Sequence, residues 1–442
     1  MDLTRDILRK SLKELRKQQQ KYSVNKRYYD GQHDIIYKYA EQDQRSNQKV
    51  VVNFFKKFIQ DEVSYSLGNP ISYISKSQNE EVLEEIDSNF SHWQKRHDQL
   101  LAIKTATYGF AFELDYVDED GEFKSTVLTP LNCFAIESGR ADQSIQLALH
   151  NYKISQFSET EMLDVYHSNK IYTYKLSKND AMSLVGEREH IFEKPPIRVN
   201  AYNEERQSLL VDIKSENDAY NNTLSDLVNE VSDFRQAFLR ITGAELDEDE
   251  AKKMKKNGII QISSQAQIDF LTKEINDTFV QNLLSELEEK IYKLSSHIDV
   301  NEKISSNVSG VSLRSRMIGL EQKCSLIQTM MESTIKKRLK NFFHYLSIKH
   351  GREYNYKDIK TNFTMNIPHD LVNIGDFISK VEKNVSQRTI LSLLPFIENP
   401  EHELKQFYKE QKEKRNMEME GQVDLENLGI NPEALNGGDN NE

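Results

Sequence analysis

The chain is 442 residues long, with a formal net charge of −12, 37% hydrophobic residues, 29% charged residues and a mean hydropathy of −0.69. That length allows roughly two or three ordinary domains, yet so polar a chain must leave much of its surface solvated or against other polar surfaces, so an elongated or assembled molecule is expected. The acidic balance excludes a protein that coats itself in nucleic acid, because phosphate binding needs clustered Lys and Arg, but not one that lets DNA slide past.

From Leu3 to Leu15 the apolar residues Leu3, Ile7, Leu8, Leu12 and Leu15 recur at helical spacing among Arg5, Arg9, Lys10, Lys13, Arg16 and Lys17. This reads as a solvated helix docking one apolar stripe, with a nucleic-acid or membrane-surface helix as the alternative. The opening residues lack the apolar core of a secretion signal, and no run reaches the ~18 to 20 apolar residues that span a bilayer, so a soluble chain without a cleavable export signal is expected. A helix from Val52 to Leu67 ends at Gly68-Asn69-Pro70, and a second helical pattern surrounds Trp93 to Ala106. Between 110 and 200 the stretches FAFELDYV, EFKSTVLTP, QLALHNYKI, EMLDVYHS and KIYTYKL are short, alternating and β-prone, which predicts a small antiparallel region closed by Pro195-Pro196.

The next helix is predicted from about Asn203 to Ile241. Ile213, Tyr220, Leu227 and Phe234 form one heptad row, and Leu224, Val231 and Phe238 the other. Asp226, Glu230 and Asp233 share an acidic face of the same helix. An insert follows, in which the acidic residues Glu245, Asp247, Glu248 and Asp249 precede Lys252, Lys253, Lys255 and Lys256; a short helix and a hairpin formed by GIIQIS and AQIDFLT are expected. Alternating charge of this kind suits either docking to partners or a solvated helix with internal i,i+4 pairs.

Helix resumes from about Asp277 to His297, with Val280, Leu287 and Leu294 in one row and Leu284, Ile291 and Ile298 in the other. Small polar residues, Ser305-Ser306-Asn307-Val308-Ser309-Gly310, then interrupt it. A long helix follows from about 312 to 349, straight unless Gly319 bends it. A strand is expected in NFTMNIP near 362, then helices interrupted by Pro395 and Pro400. After Arg415 there is no further Lys or Arg, and the acidic tail is not expected to fold alone.

Recognisable catalytic chemistry is missing. There is no GxxxxGK[ST] and no GxGxxG. DYVDEDGEF resembles a calcium loop, but with Gly121 as its sixth position Tyr116 stands first and Val127 last, and neither supplies a carboxylate. Cys133 and Cys324 form no CxxC pair, and the histidines lack metal-site spacing, so no metal, cofactor or disulfide is expected and a reducing cytosol fits. Asp115, Glu122 and Lys124 are the residues from which a metal-dependent nuclease site could be imagined.

Five stretches, NKRYYDGQHDI (25 to 35), VVVNFFKKFIQDEVSYSLGNPISY (50 to 73), AYNNTLSDLVNEVSDFRQAFLRITG (219 to 243), SSNVSGVSLRSRMIGLEQK (305 to 323) and LSLLPFIENPEHEL (391 to 404), together resemble the portal proteins of tailed phages, in the branch found in long-tailed phages of Gram-positive hosts. The resemblance implies a mainly helical α+β portal fold assembling into a ring, commonly dodecameric. It would have a wing (1 to 205), stem helices (206 to 242 and 277 to 297), a clip (243 to 276), a tunnel loop (298 to 311), a long wing helix and β segment (312 to 371), a crown (372 to 416) and a tail (417 to 442). It implies no enzymatic activity of its own. The ring would be a DNA channel at the capsid vertex, working with the terminase large subunit, capsid and scaffolding proteins and head-tail connector proteins, and assembled in the host cytoplasm. Lys303, Ser305, Ser306, Asn307, Ser309 and Gly310 would then line the tunnel loop, Asp226, Glu230 and Asp233 the channel, and the charged insert would be a docking surface. A helical scaffold or adaptor that oligomerises without enclosing DNA is the alternative.

Overall fold

The computed structural model describes residues 3–38, 46–141, 143–234, 238–242, 249, 267–271, 277–299, 310–366, 375, 378–392, 394, 397 and 400–427. The chain divides into two units, Met1–Phe363 and Thr364–Glu442.

The first unit opens with helix α1 (Arg5–Tyr29), capped by the Thr4 hydroxyl, which accepts the Ile7 N–H at 3.3 Å. Its stripe Leu8, Leu12 and Leu15 is buried against Leu147, Leu149, Leu163, Val165 and Leu176 of a five-stranded sheet. The docked-stripe reading therefore holds, in a helix longer than expected. Next come α2 (Asp34–Lys38), α3 (Phe54–Leu67), β1 (Ser72–Ser75), α4 (Glu80–Phe90) and α5 (Gln94–Tyr108). Gly109 ends α5 in the left-handed region at φ 87°, with the Arg206 carbonyl where a Cβ would sit, so no side chain fits there.

The β region comprises β2 (Phe110–Val117), β3 (Phe123–Leu128), β4 (Cys133–Glu137), β5 (Ile145–Lys153), β6 (Glu161–His167), β7 (Lys170–Leu176), β8 (Met182–Glu189) and β9 (Ile197–Ala201). They form two antiparallel sheets, ordered β3-β2-β9 and β4-β5-β6-β7-β8. The prolines at 195 and 196 do not close the region. They precede β9, which pairs with β2 from Ile197 opposite Leu114 to Ala201 opposite Phe110, as proline at a strand entry allows.

After α6 (Leu210–Phe234) the backbone becomes β10 (Phe238–Thr242), which pairs with β11 (Gln267–Leu271). The expected helix to Ile241 is thus corrected: Phe238 and Ile241 belong to a hairpin strand, and AQIDFLT supplies its partner. GIIQIS lies outside the described residues. Helix α7 spans Asp277–Ser295 and α8 Gly310–His350. Gly310, assigned to a loop from sequence, is the first residue of α8. The 41 residues of α8 make it about 60 Å long. Its second half, from Met331 through Ile335, Leu339 and Phe342 to Leu346, is buried among residues of α3, α4 and α5. The unit closes on β12 (Ile359–Asn362), paired with β1. The strand therefore ends where NFTMNIP begins.

In the second unit α9 spans Gln387–Ser392 and α10 spans Pro400–Asn427. Pro400 starts α10 instead of interrupting it, since the first helical turn needs no proline N–H. Residues 417 to 427, assigned to an unfolded tail from sequence, continue that helix.

Candidate functional site

Helices α6 and α7 pack side by side and carry the heptad rows. Within the chain one row of each is covered more than the other. Ile213, Leu284 and Ile291 are buried and Tyr220, Leu227 and Ile298 half-buried, whereas the second rows include Val231 and Leu294, 51% and 50% exposed. The base of the pair is tied to the body through Leu209, Leu210, Ile213, Ile291 and Tyr292, which share a core with Phe54, Phe58 and Ile327.

Along its length α6 is held by an extended strap, residues 46 to 52, running antiparallel to it. Asp233 accepts the Ser46 N–H (2.9 Å), and Asn229 bonds both the N–H (2.6 Å) and the carbonyl (3.0 Å) of Gln48. Ser225 accepts from the Val50 N–H (2.9 Å), Asn221 accepts the Val52 N–H (2.8 Å), and Asn217 donates to the Val52 carbonyl (2.9 Å). From Asp233 to Asn221 side chains four apart on the helix thus serve residues two apart on the strap, and Asn217 adds a second bond at Val52. Asn217, Asn221 and Ser225 are fully buried in doing so, and buried backbone groups need such partners.

The passage from α7 to α8 is built around a buried carboxylate. Helix α7 ends with Ser296 at φ 59° and the His297 N–H bonded to the Tyr292 carbonyl at 3.0 Å, a left-handed cap. The Lys323 ammonium, from α8, donates to the Ser295 carbonyl at 3.0 Å and pairs with Glu62 of α3, also at 3.0 Å. A cation at a helix C-terminus is favourable. The Tyr202 hydroxyl donates to the same carboxylate, 2.8 Å from each oxygen. Burial pushes the Glu62 carboxyl up, and Lys323 and Tyr202 offset this only in part. The His297 ring stacks on Phe58 at 4.2 Å, with its nitrogens 2.9 Å and 3.1 Å from the carbonyls of Ser295 and Phe58. Burial, then Lys323, lowers its pKa to about 3; as the neutral ring it can donate to one of those carbonyls only.

The residues singled out from sequence are not gathered at one place. Lys303, Ser305, Ser306, Asn307 and Ser309 lie outside the described residues, as do Glu245, Asp247, Glu248, Lys252, Lys253, Lys255 and Lys256. Asp249 is exposed. On α6, Asp226 is exposed and Glu230 half-buried, while Asp233 is turned to the strap.

The imagined nuclease site does not assemble. Asp115 is buried, held by both terminal nitrogens of Arg198 (2.5 and 2.6 Å), by Ser125 (2.6 Å) and by Asn341 (2.8 Å). Lys124 sits on the other face of β3 and pairs with Asp118 and Glu122. Asp115 belongs instead to a buried network. Arg198 also meets Glu113 (2.6 Å), and Arg338 of α8 meets Glu113 (2.7 Å) and Asp98 (2.6 Å). Burial alone would raise Glu113, but the guanidinium groups of Arg198 and Arg338 hold it well below the carboxylate range. Among the described residues no His, Cys, Asp and Glu group could hold a metal, and no helix is long and apolar enough to cross a membrane.

The family described as "Phage portal protein, SPP1 Gp6-like" matches residues 8–417, nearly the whole chain. The chain belongs to this portal family. It is similar to the portal protein of Bacillus phage SPP1, 23% identical over 387 residues that cover 82% of this chain and 76% of the relative. It is also similar to the portal protein of a Clostridium phage, phiCD119, 22% identical over 422 residues that cover 88% of this chain and 92% of the relative. Both are phages of Gram-positive hosts, as the resemblance implied. Among solved structures, a chain from the neck of an empty GTA particle matches with a TM-score of 0.47 at 8% identity, over 76% of this chain and 88% of that one. As a portal protein the chain is a structural component of the phage particle. The Asn/Ser row of α6, the Glu62 joint and the Glu113 network were not foreseen from the sequence. Only the first left a local signal, amides and a serine at a four-residue step.

Proposed function

We propose that copies of this portal chain close into a ring, with twelve as the expected number, and that duplex DNA passes through its centre during packaging, retention and ejection. In this reading residues 1 to 205 and α8 form the wing, α6 and α7 the stem, the hairpin β10–β11 lies in the clip, and residues from about 372 form the crown. The observation that carries it is the uneven cover of the heptad rows. A single chain leaves Val231 and Leu294 about half exposed, and Phe279 64% exposed, on helices long enough to line a passage. Apolar side chains in that position are suited to burial against a neighbouring copy.

The acidic balance supports the same reading, because a conduit must guide a polyanion without gripping it. Asp226 and Glu230 would face the axis, and Lys303 would supply a weak ring of phosphate contacts. The charged residues from Glu245 to Lys256 would dock the terminase and later the connector proteins, with assembly in the host cytoplasm and the finished ring in the capsid. The chain would carry no catalysis; ATP hydrolysis would belong to the terminase. Electron microscopy of purified protein tests the ring: a symmetric annulus with a hole wide enough for duplex DNA is expected, and rods or solid assemblies would favour the scaffold alternative. Lys303→Ala should reduce DNA retention, and charge reversal at Lys255 and Lys256 should weaken terminase binding.

A further inference from the structure

We infer that Glu62 is a positioning residue whose buried carboxylate fixes the angle between α7 and α8, and with it the stance of the stem on the body. The consequence for DNA rests on the channel reading above; the geometry does not. Four elements converge on this side chain. It belongs to α3, accepts from Tyr202 just after β9, and pairs with Lys323 of α8, which also caps the last turn of α7 through the Ser295 carbonyl. His297, two residues beyond α7, approaches the same carboxylate to 3.6 Å. The Cys324 thiol donates to the Glu62 backbone carbonyl at 3.9 Å.

Packing alone does not explain a charged residue here. The base of α7 already has Ile291 and Tyr292 in an apolar core, and the hydrophobic contribution of such contacts is less directional than a hydrogen bond, so burial by itself asks for no charge here. Hydrogen bonds and ion pairs fix direction as well as distance. A buried carboxylate is costly to keep, and the raised Glu62 pKa reflects that burial. Lys323 joins this carboxylate to the carbonyl end of α7. Gly319, one turn earlier on α8, brings the helix against Ser296 at a distance where a Cβ would be in ordinary contact, 3.7 Å from the Ser296 Cβ. The two helices therefore meet with their relative setting decided by one polar hub.

The test is amide hydrogen exchange on the full-length protein with Glu62→Gln, Lys323→Met and Lys323→Arg, followed by DNA retention in heads assembled with each. Glu62→Gln and Lys323→Met should raise exchange of the Ser296 and His297 amides at least tenfold while those of Ile335 to Leu346 stay unchanged, and Lys323→Arg should keep most of the protection. Heads carrying the first two variants should lose packaged DNA faster, with ring formation intact. Unchanged exchange at 296 and 297, or a uniform rise across the whole chain, would overturn the inference. If Glu62→Gln does not fold, Lys323→Met decides alone. Absence of a ring in the unaltered protein would defeat the channel reading and leave the exchange result to judge the joint separately.

Discussion

Glu62 and Glu113 are both withdrawn from water, 2% and 0% exposed, yet the fold treats their protons in opposite ways. Around Glu113 stand two guanidinium groups and His97, whose ring nitrogen lies 2.7 Å away. Around Glu62 stand one ammonium, one phenol and a histidine kept neutral. Planar guanidinium groups present several donors in a fixed fork and are weakly hydrated, so they can go with a carboxylate into the interior. A single ammonium, shared with a helix terminus, offsets less of the burial cost. Glu113 is consequently held well below the ordinary range and Glu62 above it. Burial does not determine what a buried acid does; the number and shape of its cationic partners do.

The comparison breaks most readily at Arg338. Arg338→Met leaves Glu113 and Asp98 short of a partner and should lower unfolding free energy by about 3–5 kcal/mol, read by urea denaturation. Arg338→Lys should recover only part of this, because a point charge cannot reproduce the fork. Lys323→Met removes the cation paired with Glu62 among the described residues and should cost about 1–3 kcal/mol. Tyr202→Phe deletes a single neutral donor and should cost about 1 kcal/mol. Smallest at neutral pH is Glu62→Gln, expected within about 1 kcal/mol of the parent, since losing a pair is offset by no longer burying a charge.

That last variant sharpens the contrast through pH. A carboxyl raised in the folded state imposes its cost above its folded pKa, and the cost is relieved as the pH falls through that value. A carboxyl depressed in the folded state contributes stability above its unfolded pKa and loses it as the pH falls toward its folded value. In the parent, mild acidification should therefore first relieve Glu62, and stronger acid should then undo Glu113. Glu62→Gln should abolish the first phase and keep the second, measured as stability against pH.

Much of the framework was legible in the residues. Strand β2 is rich in β-prone residues, and α8 runs from Gly310 to His350 against an expected 312 to 349, because its apolar rows have no competing period. The heptad rows of α6 misled at Phe238: apolar residues at that spacing continue equally well into a strand, and the β-prone FLRIT goes to the hairpin. The Glu113 network was hidden for another reason. Glu113 and Asp115 occupy alternate positions of β2, which ordinarily marks a solvent face, but β2 is covered on both faces through Asp115. Their cations, Arg198 and Arg338, are distant in sequence. The Glu62 joint likewise joins residues 62, 202, 297 and 323, which share no local pattern.

The strap on α6 has a built-in limit. Four residues of helix advance about 6.0 Å and two of extended chain about 6.7 Å, so successive rungs from Asp233 to Asn221 drift out of step like the marks of a vernier. Across those three steps the drift reaches roughly 2 Å, about the hydrogen-to-acceptor distance of a hydrogen bond. A longer strap would lose its partners at one end, so its length is set by where two rulers of unequal pitch still coincide, and one residue inserted between Gln48 and Val52 should unfasten the helix from there on.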